Sequence, residues 1–347
     1  MEKKQTTKGP LAIAVKKPSG NYLFFRTRAR SRSFTTLSDL FTDDEASSNQ
    51  DLDCITFGVD ETGTSFKFQP SDSSILKSYT EVKLLFEEIL SPTVVSLMAS
   101  TEDGKAVIKK SLVKSKCILS EKVNEFCRRE CAIHSQMKHP NIIELYDYTE
   151  DDQELALFME HANKPMYLTQ LINDEHTPVE DEHLLRKIAE DILKGLAYIH
   201  SRNLIHGDVK LCNMLCHEEN DVITVKICDF GLSYILGQEK EGKVLIEDVS
   251  GTLGHIAPEV KSHCWIGTEV DMWCFGLMLY ELAVAYKPTQ LKNFAYSSGD
   301  IPFRRYDWKR KSPLLQDLIL KCMDYNPEKR ISAEEALQHP WFSSQEE

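Results

Sequence analysis

His206-Gly207-Asp208-Val209-Lys210-Leu211-Cys212-Asn213, followed a short interval later by Asp229-Phe230-Gly231, is the stretch that decides the reading of this chain. It gathers two carboxylates, a lysine and an amide into one loop and the turn after it. Phosphoryl transfer calls for such a set: a carboxylate to orient the attacking hydroxyl, a cation near the γ-phosphate, and hard oxygen ligands for magnesium. On that chemistry Asp208 accepts the hydroxyl proton, Lys210 steadies the γ-phosphate, Asn213 binds one Mg2+ and Asp229 binds both.

Upstream of this stretch, Leu184, Leu185, Ile188, Ile192, Leu196 and Ile199 recur at three- and four-residue steps, which places them on one face of a long helix beginning near Asp181. Further back, from Tyr79, the pattern is of short β-rich runs, among them Val94 to Met98 and Ala106 to Ile108, and then a helical stretch from Glu121 to Met137. Residues 1–78 differ from both. They open basic, pass through Arg26, Arg28, Arg30 and Arg32, and turn acidic and Ser-rich around Asp43, Asp44 and Glu45. That composition reads as a flexible or loosely docked extension, with apolar patches at Tyr22 to Phe25 and Ile55 to Phe57 available for docking. No internal repeat is present.

The 347 residues are 41% hydrophobic and 27% charged, ordinary for a soluble globular chain with material for two cores. A formal net charge of −13 argues against a chain held on nucleic acid or anionic membrane by its overall field. The ten cysteines are scattered, without the paired CxxC spacing of structural zinc, and read as reduced thiols. No window approaches the roughly twenty apolar residues of a membrane span, and the N-terminus has no signal-peptide core. The expected location is intracellular, in cytoplasm or nucleus.

The two central segments resemble the catalytic loop and DFG motif of the eukaryotic protein kinase family, and the resemblance runs from about Tyr79 to Phe342 with the motifs in family order. Ala106-Val107-Ile108-Lys109 looks like the VAIK strand, and Glu130, in a helix ending at His139-Pro140-Asn141, matches the glutamate that pairs with its lysine. Lys109 is the expected partner of Glu130, since strand alternation puts it on the face of Val107, and Lys110 is the alternative. Downstream, Ala257-Pro258-Glu259, Asp271 to Gly276, Arg330 and His339-Pro340-Trp341-Phe342 match the rest of the larger lobe.

The resemblance implies an α+β, two-lobed fold. A β-rich N-lobe with one main helix covers about 79–160, a mostly helical C-lobe about 163–342, and a short tail 343–347. It implies ATP and Mg2+ as cofactors. Met159 is the implied gatekeeper, the backbone of Glu160 and Ala162 meets adenine, and Val94, Val107 and Leu215 sandwich the ring. Thr252, in a Gly-Thr-x-Gly setting, is implied to bond Asp208 and Lys210.

Several positions depart from the family. Counted back from Lys109, the three glycines of the phosphate-covering loop fall on Glu87, Ile89 and Pro92, and no glycine lies between Tyr79 and Gly104. Side chains and a proline there obstruct the approach of backbone amides to phosphate. Gly207 replaces the arginine that relatives use to hold a phosphorylated activation loop, and Phe126 and Tyr234 occupy two further positions that often carry cations. His134 stands where the family places an aliphatic residue of the hydrophobic column through Leu145, Phe230 and His206. It reads either as a core histidine with satisfied partners or as a tunable helix position.

The function expected is a serine/threonine kinase acting on a protein substrate and independent of activation-loop phosphorylation. The alternative is a pseudokinase that keeps the fold as a binding or scaffolding module. In the extension, Arg26-x-Arg28-x-x-Ser31 and Arg28-x-Arg30-x-x-Ser33 look like sites for an upstream basophilic kinase. Met166 and Cys212 stand where basophilic relatives often place acids, so Ser31 and Ser33 are expected to be modified in trans.

Overall fold

The computed structural model describes residues 12–16, 22–26, 55–59, 65–71, 78–87, 93–116, 121–162, 166–170, 172, 177–219, 222–237, 242–246, 254–261, 263–291, 294 and 300–343. The chain divides into two units, 1–45 and 46–347. In the first, β1 (Ala12–Lys16) and β2 (Tyr22–Arg26) form an antiparallel hairpin. Ser31 and Ser33 lie outside the described residues.

The second unit opens with another antiparallel hairpin, β3 (Ile55–Val59) and β4 (Ser65–Phe68). A five-stranded antiparallel sheet follows, built from β5 (Tyr79–Glu87), β6 (Thr93–Ser100), β7 (Ala106–Val113), β8 (Leu145–Glu150) and β9 (Glu154–Glu160) in the order β5-β6-β7-β9-β8, with α1 (Glu121–His134) inserted between β7 and β8. Its two faces are separately apolar, as period-two alternation requires. Met98, Val107, Ala156 and Phe158 cluster on one face, capped by Tyr79, whose ring stacks on Phe158 at 4.7 Å. Leu112, Leu155 and Leu157, of opposite parity, are buried on the other.

The larger lobe is organised on two helices of different character. In α2 (Glu182–Ser201) Asp181 caps the N-terminus, accepting from the amides of His183 and Leu184 at 2.8 and 3.3 Å, and Leu185, Ile188, Ile192, Leu196 and Ile199 form one fully buried face. The second long helix, α3 (Glu269–Val284), is buried on nearly every side, as its almost uninterrupted apolar sequence demands. It ends where Ala285 turns left-handed at φ 62°. Short β-structure accompanies them: β10 (Met166–Tyr167) with β12 (Met214–Glu219) and β13 (Val222–Ile227), β11 (Leu204–Ile205) with β14 (Tyr234–Ile235), and β15 (Val244–Ile246) with β16 (Cys264–Ile266). Helices α4 (Arg305–Trp308), α5 (Pro313–Cys322), α6 (Ala333–Leu337) and α7 (Pro340–Ser343) complete the lobe. Among the described residues no helix is long and apolar enough to cross a membrane.

Arg330 pins these helices together. Its guanidinium donates to Glu259 at 2.6 and 3.0 Å, to the Glu269 carbonyl at 2.7 Å and to the Asp324 carbonyl, and it lies over the Trp273 ring. With its side chain fully buried, this is no surface ion pair of small worth. Breaking a buried pair by removing one partner leaves an uncompensated charge. Arg330→Met is therefore expected to lower the urea midpoint by an amount equivalent to about 3 kcal/mol with an unchanged slope, read by chemical denaturation.

Candidate active site

Three elements converge on one ammonium group. Lys110, on β7, donates to Glu130 Oε1 of α1 at 2.6 Å and to Asp229 Oδ1 at 3.0 Å. Burial opposes the charge of Lys110, but Glu130 and Asp229 more than offset it and hold its pKa well above the ordinary lysine value. Lys110 in turn draws Asp229 down to about 2, so that carboxylate is ionised throughout the neutral range. Burial pushes Glu130 up.

The lysine expected at this place was Lys109, and the structure corrects it. Lys109 lies one residue out of phase and pairs instead with Glu154 on β9 at 2.5 Å. The register explains why. Val107, Lys109 and Ser111 stand opposite Met98, Ser96 and Val94 on β6, which puts all six on the face of the Val107 cluster, away from the cleft. The parity argument that tied Lys109 to Val107 holds, but both residues belong to the outer face. Val107 and Val94 are therefore not the roof of a nucleotide site. Ile108 and Val95, with the parity of Lys110, take that face, with Met159 directly across from Ile108 on β9.

Counting back from Lys110 by the same intervals moves the loop positions to Glu88, Leu90 and Thr93, and again none is glycine. Glu88 to Pro92 lie outside the described residues, as does Thr252.

The loop after β11 is held from below by Asp271, a fully buried carboxylate on α3. It accepts from the amides of His206 at 2.8 Å and Gly207 at 2.9 Å and from His200 Nε2 at 2.9 Å. Burial alone would raise its pKa, but these donors, His200 foremost, hold it below the usual carboxylate range. On the loop so fixed, Asp208 faces Lys210, 2.5 Å from Nζ, and the Asn213 amide donates to the Asp208 carbonyl at 2.8 Å and to Asp208 Oδ2 at 3.0 Å. That commits Asn213 Nδ2 inward, while its Oδ1, which accepts from the Cys212 thiol at 3.8 Å, is the atom suited to ligate a metal ion. With Asp229 ionised, the two present the hard oxygen set that Mg2+ takes.

Asp229 itself is left-handed at φ 69°, and Phe230 turns beneath α1, its ring 4.8 Å from His134 and 5.3 Å from His206. His134 donates through Nε2 to the Ile143 carbonyl at 2.7 Å, so the imidazole is accommodated in the column by one backbone acceptor.

Gly207 has a steric reason to be glycine. At φ 79° its Cβ would sit 2.3 Å from the Leu232 carbonyl oxygen. An arginine here requires the backbone after the DFG turn to move. Lys226 and Lys243, two other cations of this lobe, have carboxylate partners of their own. Lys226 binds the Glu160 carboxylate at 2.8 Å, joining β13 to the end of β9, and Lys243 lies 3.8 Å from Glu269. The Glu160 amide is also taken, by the Glu144 carbonyl at 2.8 Å, and is not available to an adenine ring. Leu215 is half-buried on β12, opposite Lys226.

Two participants escaped the sequence reading. Arg129, beside Glu130, reaches the segment after the DFG turn and lies over the Tyr234 ring at 5.6 Å. Next to Asp208, His255 is buried with neither ring nitrogen bonded to protein among the described residues. Its place three residues after Thr252 was visible in sequence, but its burial was not.

Residues 91–342 match the family model of the protein kinase domain, and the chain belongs to that family. It is 32% identical over 243 residues to serine/threonine-protein kinase PLK4 of Nematostella vectensis, an alignment spanning 70% of this chain and 24% of that protein. It is 32% identical over 227 residues to calcium/calmodulin-dependent protein kinase type IV of Mus musculus, spanning 62% and 46%. With serine/threonine-protein kinase DCLK3 of Mus musculus it shares 31% identity over 222 residues, spanning 61% and 27%. The chain thus spans less than half the length of each of these relatives.

Burial sets the protonation of the two histidines flanking the site. It lowers His134 to about 4, and it lowers His255 to about 4 with Lys287 adding to the effect. A histidine whose folded pKa is depressed contributes stability that is complete above its ordinary value and is lost as the pH falls through the folded value. Stability is expected to drop between about pH 6.5 and 4, by at most roughly 3 kcal/mol for each group. In His134→Leu, denaturation at pH 7 and pH 4.5 should show a smaller difference than in the parent.

Proposed function

We propose that this chain is a serine/threonine protein kinase that transfers the γ-phosphate of ATP to a protein hydroxyl. The observation that carries the reading is the assembled unit of Lys110, Glu130 and Asp229 facing Asp208, Lys210 and Asn213, since each group whose charge the chemistry uses is present and in contact with its partner. Lys110 is suited to hold the nucleotide phosphates, with Glu130 keeping its ammonium in place. Asp208 is suited to accept the hydroxyl proton, and Lys210 to offset charge on the transferring group. Asn213 and Asp229 would hold Mg2+, which when bound supplies neutralisation of the phosphate charge. The names of the relatives agree with this reading.

The glycine-free phosphate loop is the observation on the side of a scaffold. Backbone amides crowded by side chains approach phosphate less closely, so weaker nucleotide affinity follows, while the charged groups that set the chemical step are retained. The reading places the chain inside the cell, where its cysteines stay reduced; none of the eight described cysteines is in a disulfide. Ser31 and Ser33 are the proposed targets of an upstream basophilic kinase.

A magnesium-dependent ATP-binding and phosphate-transfer assay on the full chain tests the assignment. Lys110→Met and Asp208→Asn are each expected to leave less than about a hundredth of the rate, the usual scale of such contributions, whereas Lys109→Met should retain most of it. Equal loss in Lys109→Met and retention in Lys110→Met would reverse the assignment of the lysine. Absence of magnesium-dependent ATP binding at millimolar nucleotide would favour the scaffold.

The activity is further proposed to be independent of activation-loop phosphorylation. Such control needs cations that order the loop around a phosphate. Here Gly207 cannot become arginine without backbone movement, Lys226 and Lys243 pair with Glu160 and Glu269, and Arg129 lies over the Tyr234 ring. Phosphatase treatment and Ser250→Ala are expected to change the rate by less than threefold. A tenfold fall in both, about 1.4 kcal/mol in the barrier, would contradict the proposal. Gly207→Arg is expected to reduce activity rather than confer phosphate dependence.

A further inference from the structure

The hairpin of β3 and β4 precedes the segment that matches the kinase family model, which begins at residue 91. By composition, residues 65–71 belong to a flexible or loosely docked extension. They are instead seated against the N-lobe, with Phe66 and Phe68 completely buried and Lys67 between them exposed. The Phe68 ring packs on Tyr148 of β8 with centroids 5.3 Å apart, and the Arg128 guanidinium of α1 lies over the same ring at 5.9 Å. Backbone bonds fix the register: Gln69 donates its amide to the Tyr148 hydroxyl at 2.9 Å, Ser71 donates its amide to the Tyr148 carbonyl at 3.0 Å, and the Ser71 hydroxyl donates to Asp147.

The side of α1 on which this strand sits is what matters. Arg128 and Glu130 are two residues apart, which on an α-helix is about 200° of rotation, so they face opposite ways. Glu130 turns inward to Lys110, and Arg128 turns to the back, where it donates to Glu150 of β8 at 2.8 Å through both Nε and Nη2. Lys114 adds a third contact to Glu150 at 2.8 Å. Burial alone would push the Glu150 carboxyl up, but Arg128 and Lys114 hold it below its usual range. Phe68 covers this ion pair, and β3 runs beside β14, the strand just after the DFG turn. The hairpin therefore touches both parts of the site that must be placed together, the helix of Glu130 and the segment after Asp229.

We propose that the β3–β4 hairpin is an intramolecular positioning element, in which Phe66 and Phe68 hold α1 so that Glu130 meets Lys110. Its consequence for turnover rests on the kinase reading, but its effect on α1 does not. Without the two rings, the back of α1 loses its apolar cover and Arg128 is opened to water, which frees the helix to swing away from β7.

The test uses the full chain with Phe68→Ala, Phe66→Ala with Phe68→Ala, Phe68→Leu and Tyr148→Phe, measuring hydrogen exchange by segment alongside kcat and KM for ATP and protein substrate. In the alanine variants exchange across α1 and Tyr234–Ile235 is expected to rise at least tenfold with α3 unchanged, and kcat to fall at least tenfold with less than threefold change in KM for protein substrate. Phe68→Leu should recover kcat to within about threefold of the parent, and Tyr148→Phe, which removes the acceptor for Gln69 but keeps the ring, should give a small change of the same sign. If the double variant does not fold, the two conservative variants carry the comparison. Unchanged exchange across α1, or equal rises in α1 and α3, would overturn the proposal, as would a loss of kcat that Phe68→Leu does not recover. A parent protein without turnover would refute the kinase reading, while the exchange measurements would still decide the role of the hairpin.

Discussion

An ammonium group enclosed by two carboxylates from different parts of the chain is the constraint on which this architecture turns. Lys110 comes from the sheet, Glu130 from the inserted helix and Asp229 from the turn after β13. Glu130 is buried and Lys110 partly so, and a charge withdrawn from water is tolerated where partners surround it, which makes removal of one partner costly. The three elements are therefore tied to one another by electrostatics where apolar packing alone would leave them free to slide. Phe230 follows from this, since the turn that presents Asp229 to Lys110 also drives the next ring under α1, against His134 and His206.

A second buried carboxylate does for the catalytic loop what Lys110 does for the cleft. Asp271 rises from the apolar helix α3 and takes both backbone amides that precede Asp208, together with the His200 ring. The loop is thus braced on the most deeply buried element of the larger lobe. This bracing comes from beneath, through the backbone amides of His206 and Gly207 and the ring of His200. The close passage of the Leu232 carbonyl over Gly207 shows the same economy, with backbone filling the space that a long side chain would occupy.

Helix α1 is gripped on both sides. In front Glu130 engages Lys110, and behind Arg128 engages Glu150 under the cover of Phe68. Of these rear contacts, Phe68 lies outside the span that matches the family model, whereas Arg128 and Glu150 lie within it.

The order of motifs along the chain determined the two-lobed fold and most of the catalytic loop, because Asp208, Lys210 and Asn213 are close in sequence and their roles follow from local spacing. The long periodic face of α2 was equally legible, since helix geometry converts sequence spacing directly into spatial position. The choice between Lys109 and Lys110 was not. On β7 the interleaved sets Val107-Lys109-Ser111 and Ile108-Lys110-Leu112 each carry one lysine on an alternating face, and only the pairing with β6 and β9 states which face is the cleft. The more apolar neighbours of Lys110 were the available hint. The docking of Phe66 and Phe68 lay beyond sequence reading for a related reason: a four-residue strand has too few alternations to announce a buried face, and its partners Tyr148 and Arg128 are more than fifty residues away. Local spacing therefore determined which groups gather at the candidate site, whereas strand register and long-range packing, which depend on contacts between distant segments, decided which lysine meets Glu130 and Asp229 and what packs behind α1.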